Sequence, residues 1–180
     1  MKYPIYFDAK NSYNLFGLKE NFNFISKLYF KKNLPKELMF SGEKGIGKST
    51  LINHFLYSIF DAENYDKDKL SLTKNLNFYN QFQNNIFSNI IYISGADFKT
   101  IKVDYIRNLK SRILKSTISN KDRFIVFDDI ELFNPNTTNA LLKIIEEPAK
   151  KNYFFLINNK SRPILETIKS RALEIKFILN

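Results

Sequence analysis

The sequence predicts an α/β fold, a five-stranded parallel sheet flanked by helices, on three observations. Short β-branched and aromatic runs alternate with segments of helical period along the chain, the pattern that parallel strands joined by crossover helices require. The glycine-rich stretch "SGEKGIGKST" follows one such strand and opens one such helix, where a phosphate-holding loop belongs. A later strand, "RFIVFDD", ends on two aspartates, which suits a loop in need of a metal-binding carboxylate at the end of a neighbouring strand.

The elements follow in order. "GLKENFNFISKLYFKKN" spaces Phe22, Ile25 and Leu28 as one helical face, with lysines late, as the negative end of a helix prefers. "ELMFSG" reads as a short buried strand closing on glycine, and "KSTLINHFLYSIF" as a helix with Leu51, Phe55 and Ile59 on one stripe. Residues 61–88 are polar and weakly patterned, and read as a long loop or partly ordered insertion.

"NIIYIS" returns to strand character. "IKVDYIRNLKSRILKS" then places Val103, Ile106, Leu109 and Ile113 on one helical face, with Arg107, Lys110, Arg112 and Lys115 on the other. After "RFIVFDD", "NPNTTNALLKIIEEP" is a helix with Leu141, Ile144 and Ile145 inward, stopped at Pro148. "NYFFLINN", "PILETIKS" and "ALEIKFIL" complete the pattern as strand, short helix and strand. The expectation is a single domain over residues 1–180, with 61–88 as its insertion.

Composition narrows the chemistry. The 180 residues are 44% hydrophobic, with 18 Phe and 10 Tyr, enough for one good core and too apolar for disorder. Lys and Arg exceed Asp and Glu by 28 to 18, a balance that suits a polyanionic partner, although a general bias towards Lys, Asn, Ile and Phe accounts for it equally. The absence of cysteine excludes disulfides and thiolate zinc sites. The one histidine, His54, lies among apolar residues, which points to a structural role. "MKYPIYFDAK" lacks the apolar core of a signal peptide and no run approaches 18 apolar residues, so the expectation is a soluble cytoplasmic protein with no membrane partner.

The loop fits G-x-x-x-x-G-K-[ST] in full, from Gly42 to Ser49. Glycines aim backbone N–H groups at phosphate oxygens, and the following helix adds its positive end. Gly42, Gly45, Ile46, Gly47, Lys48, Ser49 and Thr50 are therefore the candidate cradle for the outer phosphates of a nucleoside triphosphate, most naturally ATP. Lys48 supplies a point charge, and Ser49 with Asp128 the oxygens for Mg²⁺. The competing reading of Asp128 and Asp129 is a pair that merely caps the loop.

Beyond these patterns, the blocks "LFGLKE", "LMFSGEKGIGKSTL", "IKVDYIRNLK", "FDDIELFNPNTTNALLKIIEEP" and "FFLINN…PILETIKSRA" resemble, in that order, the bacterial clamp-loader subunits of DNA polymerase III, and the delta-prime branch above all. These are P-loop proteins of the AAA+ type. The resemblance runs from about residue 14 to 178, and "NALLKIIEEP" with a downstream "SRA" is its most specific part.

It implies that Leu15, Phe16 and Gly17 lie against the adenine. Asn158 or Asn159 is the polar sensor near the γ-phosphate, and Arg171 is offered in trans to a neighbour's ATP, a role suited to a forked, permanent charge. It further implies that Arg107 and Lys110 track the phosphate backbone of primer-template DNA, against the simpler reading of a solvated helix face. AAA+ ATPases usually carry Glu where this chain has Asp129. One missing methylene sets the carboxylate back by about 1.5 Å, and a shift of about 1 Å can cost on the order of 100-fold in rate. The expectation is nucleotide binding with weak or absent turnover.

The chain departs from the family elsewhere. Ala172 stands where a cysteine is usual, residues 61–88 lack the four cysteines of a zinc module, and the sequence given stops before a helical lid and collar. The leading expectation is an accessory clamp-loader subunit whose partners are the other subunits. The alternatives are an active clamp-loader ATPase of the gamma or tau kind, a free-standing P-loop kinase, and a non-hydrolysing DNA-binding scaffold.

Overall fold

The computed structural model describes residues 9–73, 76–96, 109, 113, 121–146 and 150–178. In chain order its elements are α1 (Lys19–Phe30), β1 (Glu37–Ser41), α2 (Lys48–Phe60), β2 (Tyr65–Asp66), β3 (Ser71–Leu72), α3 (Leu76–Gln83), β4 (Ile90–Ser94), β5 (Arg123–Asp128), α4 (Pro135–Ile145), β6 (Asn152–Asn158), α5 (Glu166–Lys169) and β7 (Leu173–Lys176). They fall into two compact units, Met1–Leu34 with Gly47–Phe87, and Pro35–Ile46 with Ser88–Asn180.

The second unit holds the predicted sheet. Its strands run in the order β4-β5-β6-β1-β7, each pair parallel. All seven residues of β6 and five of the six in β5 are buried, which is why both read as continuous apolar runs rather than alternating ones. Met39, Ile93, Ile125, Phe127, Phe154 and Leu156 form one core with Leu141, Ile144 and Ile145 of α4.

The opposite side chains build a row of rings. Phe124 stacks on Tyr153 at 5.2 Å, and Phe155 meets Phe124 at 5.4 Å and Phe40 at 5.2 Å. Each such buried ring contributes roughly 1.5–3 kcal/mol. Leu109 and Ile113 are helical and belong to the first core, and the Ile113 carbonyl accepts hydrogen bonds from buried Arg123 and Asn152 at 3.1 Å each.

Helix α4 starts with its expected signals. The Asn134 side chain accepts from Thr137 N at 2.9 Å, and Pro135 occupies the first turn. Strand β7 closes one edge of the sheet, with Leu173 54% exposed and Glu174 reaching both the Ser41 hydroxyl and Lys176.

Residues 61–88, expected to be a long loop or partly ordered insertion, carry two short strands and the helix α3 among those described. Residues 65–72 form a small antiparallel hairpin, turned by Asp66 Oδ1, which accepts the N–H groups of Asp68 and Lys69 at 2.9 Å each. Beyond it, α3 carries Phe78 and Phe82 into a cluster with Tyr57, Phe60 and Phe87, at ring separations of 4.9 to 6.4 Å. A few rings spaced four apart order a segment whose remaining residues are mostly polar.

His54 is fully buried on α2, where its Nδ1 lies 3.1 Å from the Tyr65 hydroxyl and its Nε2 3.0 Å from the Ser12 carbonyl. Burial pushes its pKa down to about 4, partly opposed by the Ser12 contact. The unfolded chain therefore takes up a proton near pH 6.5 and the folded chain only near 4. The stability lost as pH falls through that window reaches about 3 kcal/mol. Chemical denaturation at several pH values should show a slope between pH 6.5 and 4 that His54→Gln flattens.

Candidate functional site

The carboxyl ends of the strands meet along one edge, since Ser41 pairs with Asn158 and Lys176, and Ser94 with Asp128. The loop after β1 leaves from this edge. Gly42 has no room for a side chain, because an added Cβ falls 2.8 Å from the Phe177 carbonyl oxygen. The chain passes from the sheet-bearing unit to the other between Ile46 and Gly47. Gly45 and Gly47 sit at φ 91° and 95°, in the left-handed region that side chains disfavour. Gly47 is the N-cap of α2, and no side chain caps that helix. Lys48 follows in the first turn, buried, with Ser49 and Thr50 half-buried beside it in sequence.

The acidic end of β5 is not next to β1: β6 lies between them. That corrects the expectation of a neighbouring strand, and the inserted strand contributes polar groups of its own. Asp129 is buried in a left-handed conformation, φ 50°, which aspartate tolerates better than most residues. Its Oδ1 accepts from Asn159 Nδ2 at 2.8 Å and lies 3.7 Å from Lys44 Nζ, while the Ser94 hydroxyl reaches Oδ2 at 3.4 Å. The first half of the phosphate loop and the acidic pair thus share this edge through Lys44.

Asp128 accepts from the Tyr92 hydroxyl at 2.5 Å and from Asp129 N at 2.8 Å. Buried Glu131 accepts the Asn159 N–H with both carboxylate oxygens, at 3.1 and 3.2 Å, and the Ser161 hydroxyl at 2.8 Å.

Of the two asparagines left open by the sequence, Asn159 is the one that touches the acids. The side chain of Asn158 turns back to accept Lys160 N at 2.9 Å. Leu15 is buried and its N–H donates to the Leu70 carbonyl at 2.9 Å, Phe16 is 82% exposed, and Gly17 turns at φ 72°. Arg171 follows α5 and is 37% exposed, with Nη2 2.6 Å from Glu146 Oε1 and Nη1 donating to the Thr167 carbonyl at 2.9 Å. Arg107 and Lys110 lie outside the described residues.

Lys44, Tyr92, Glu131 and Ser161 escaped the sequence reading. Only Glu131 left a trace there, as an acid inside the otherwise apolar "IELF".

Among the described residues no group of three or more His, Asp or Glu side chains is placed to hold a metal ion, and no helix is long and apolar enough to cross a membrane. The hydroxyl of Ser49 and the carboxylate of Asp128 are hard oxygen donors. Each is of the kind that Mg²⁺ takes, an ion that uses few protein ligands and completes its shell with water and phosphate. Positive-φ glycines leading to a helix without a side-chain cap suit the phosphates themselves.

Comparison with known proteins agrees with this architecture. A DNA polymerase III subunit delta' of Buchnera aphidicola subsp. Baizongia pistaciae is 35% identical over 81 residues, covering 45% of this chain and 24% of that protein. A DNA polymerase III subunit gamma of Buchnera aphidicola subsp. Acyrthosiphon pisum is 27% identical over 138 residues, 77% of this chain and 37% of the relative. The matches thus span well under half the length of these relatives.

Among solved structures, a gamma subunit-related protein of Thermotoga maritima superposes with a TM-score of 0.60 at 16% identity, over 88% of this chain and 46% of that one, which shows the fold. The family described as DNA polymerase III, delta subunit, matches residues 17–179. With nearly its whole length inside that match, the chain belongs to the DNA polymerase III delta-subunit family of clamp-loader proteins.

Proposed function

We propose that the chain is an accessory, delta-prime-like subunit of the sliding-clamp loader in DNA replication. It binds ATP with Mg²⁺ in the Gly42–Thr50 loop, weakly or structurally, with Leu15, Phe16 and Gly17 against the base, and offers Arg171 to a neighbouring ATPase subunit. Its partners are the other clamp-loader subunits and, through Arg107 and Lys110, the phosphate backbone of primer-template DNA. Its place of work is the cytoplasm.

The observation that carries the accessory role is the engagement of Asp129. A carboxylate that orients an attacking water must aim a lone pair at it, and each oxygen of Asp129 is already turned towards a donor of the chain, Asn159 with Lys44 beyond it on one and, at 3.4 Å, Ser94 on the other. Together with the shorter side chain, this favours a subunit that keeps nucleotide over one that turns it over. The intact Gly42–Ser49 pattern supports the second reading, an active ATPase of the gamma or tau kind.

Reconstitution separates the two. Mixed with the clamp-loader ATPase subunits of its own organism, the chain should co-purify in their assembly and raise DNA-dependent ATP hydrolysis, while the chain alone hydrolyses almost none. Rapid hydrolysis by the chain alone is the outcome that favours the active ATPase.

A further inference from the structure

Asp128 is the carboxylate that the proposed nucleotide site needs for Mg²⁺, and Tyr92 already holds one of its oxygens. The register of β4 with β5 pairs Tyr92 with Val126 and Ser94 with Asp128, so all four side chains share one face of the sheet. From there the half-buried Tyr92 side chain reaches along its strand and donates to Asp128 Oδ2 at 2.5 Å, the length of a charge-assisted hydrogen bond. The second oxygen, Oδ1, accepts the Asp129 N–H at 2.8 Å and lies 3.5 Å from Asn159 Nδ2. Each oxygen of the candidate metal ligand therefore has a donor supplied by the chain.

We propose that Tyr92 sets the magnesium requirement of this site. Its hydroxyl competes with the ion for Asp128, so that Mg²⁺, though it accompanies the nucleotide, adds little to the affinity. A phenolic proton directs positive charge at the oxygen and withdraws electron density from it. A dication approaching that oxygen meets a less basic ligand and a repelling dipole. Mg²⁺ is poorly equipped to compete, since it holds its waters tightly and insists on regular octahedral geometry.

The inference rests on the nucleotide-binding reading, and it deepens that reading. Fixation of nucleotide without a tightly held metal suits a subunit whose site stabilises rather than hydrolyses.

Isothermal titration of the full chain with ATP, in excess MgCl₂ and again in EDTA, tests this for the wild type and for Tyr92→Phe. In the wild type the two affinities should agree within about twofold. Tyr92→Phe should bind as the wild type does in EDTA but about tenfold tighter with Mg²⁺, the lower end of what one hydrogen bond to a charged group is worth. Thermal unfolding establishes that the variant is folded.

A tenfold magnesium effect in the wild type overturns the proposal without reference to any variant, and so does an equal magnesium effect in both proteins. If neither protein binds ATP under either condition, it is the nucleotide-binding reading that fails.

Discussion

On the proposed trans role, replacing Arg171 with alanine is expected to abolish the stimulation of ATP hydrolysis in the reconstituted clamp loader, by about 10³-fold or more at the neighbouring site. The size follows from what an arginine supplied in trans does. Its guanidinium neutralises charge that spreads over the γ-phosphoryl oxygens only as the transferring bond loosens, so its loss is felt in kcat rather than in nucleotide affinity.

In the isolated chain the same residue makes a partly exposed pair with Glu146 and a hydrogen bond to the Thr167 carbonyl. Exposed pairs are worth about 0–1 kcal/mol, so Arg171→Ala should leave thermal stability almost unchanged. Arg171→Lys should restore little, because an ammonium cannot fork onto two oxygens. Steady-state ATPase and clamp-loading assays on the three assemblies measure this. Full activity in the alanine variant removes Arg171 from the mechanism.

The second large effect is expected at Lys48. Truncation to alanine should weaken ATP binding to the chain by on the order of 100-fold, the loss of one or two strong charge-assisted contacts to phosphate. Lys48 stands in the first turn of α2, directly after the left-handed Gly47, where its charge adds to that of the helix end. Because the side chain is buried, Lys48→Met is the better partner variant, keeping the apolar stem while deleting the charge. Equal losses in both variants, read by calorimetry with thermal unfolding as a control, assign the effect to charge. Unchanged ATP affinity in a folded Lys48→Met protein would exclude the phosphate role.

The sheet was legible in the sequence because a parallel strand buried on both faces has to be apolar at successive positions, as in "FIVF" and "YFFLI". The turn chemistry of the phosphate loop and the Asn-Pro start of α4 are equally local signals. What a single sequence hides is who meets whom. Phe78 and Phe82 looked isolated among asparagines and glutamines because their ring partners, Tyr57 and Phe60, come from the preceding helix.

Strand order hid another relation. The insertion of β6 between β1 and β5 brings Asn159 to the acids, and no spacing along the chain encodes that. Asn158 and Asn159 are interchangeable as letters, and the last paired position of β6 decides which of them turns back on its own loop. Tyr92 and Lys44 were invisible for a related reason. Tyr92 acts through a long side chain that spans a register, a property of two strands, and Lys44 reaches Asp129 from a turn far away in sequence.

An open sheet edge is a template onto which a foreign strand can add, and it is the usual starting point for fibrous aggregation. One of the two edge strands here, β7, is short and alternating, with Glu174 and Lys176 set between its apolar positions and tied to each other. A strand adding there would have to strip water from both charges for the sake of only four residues. That edge is thereby protected against polymerisation.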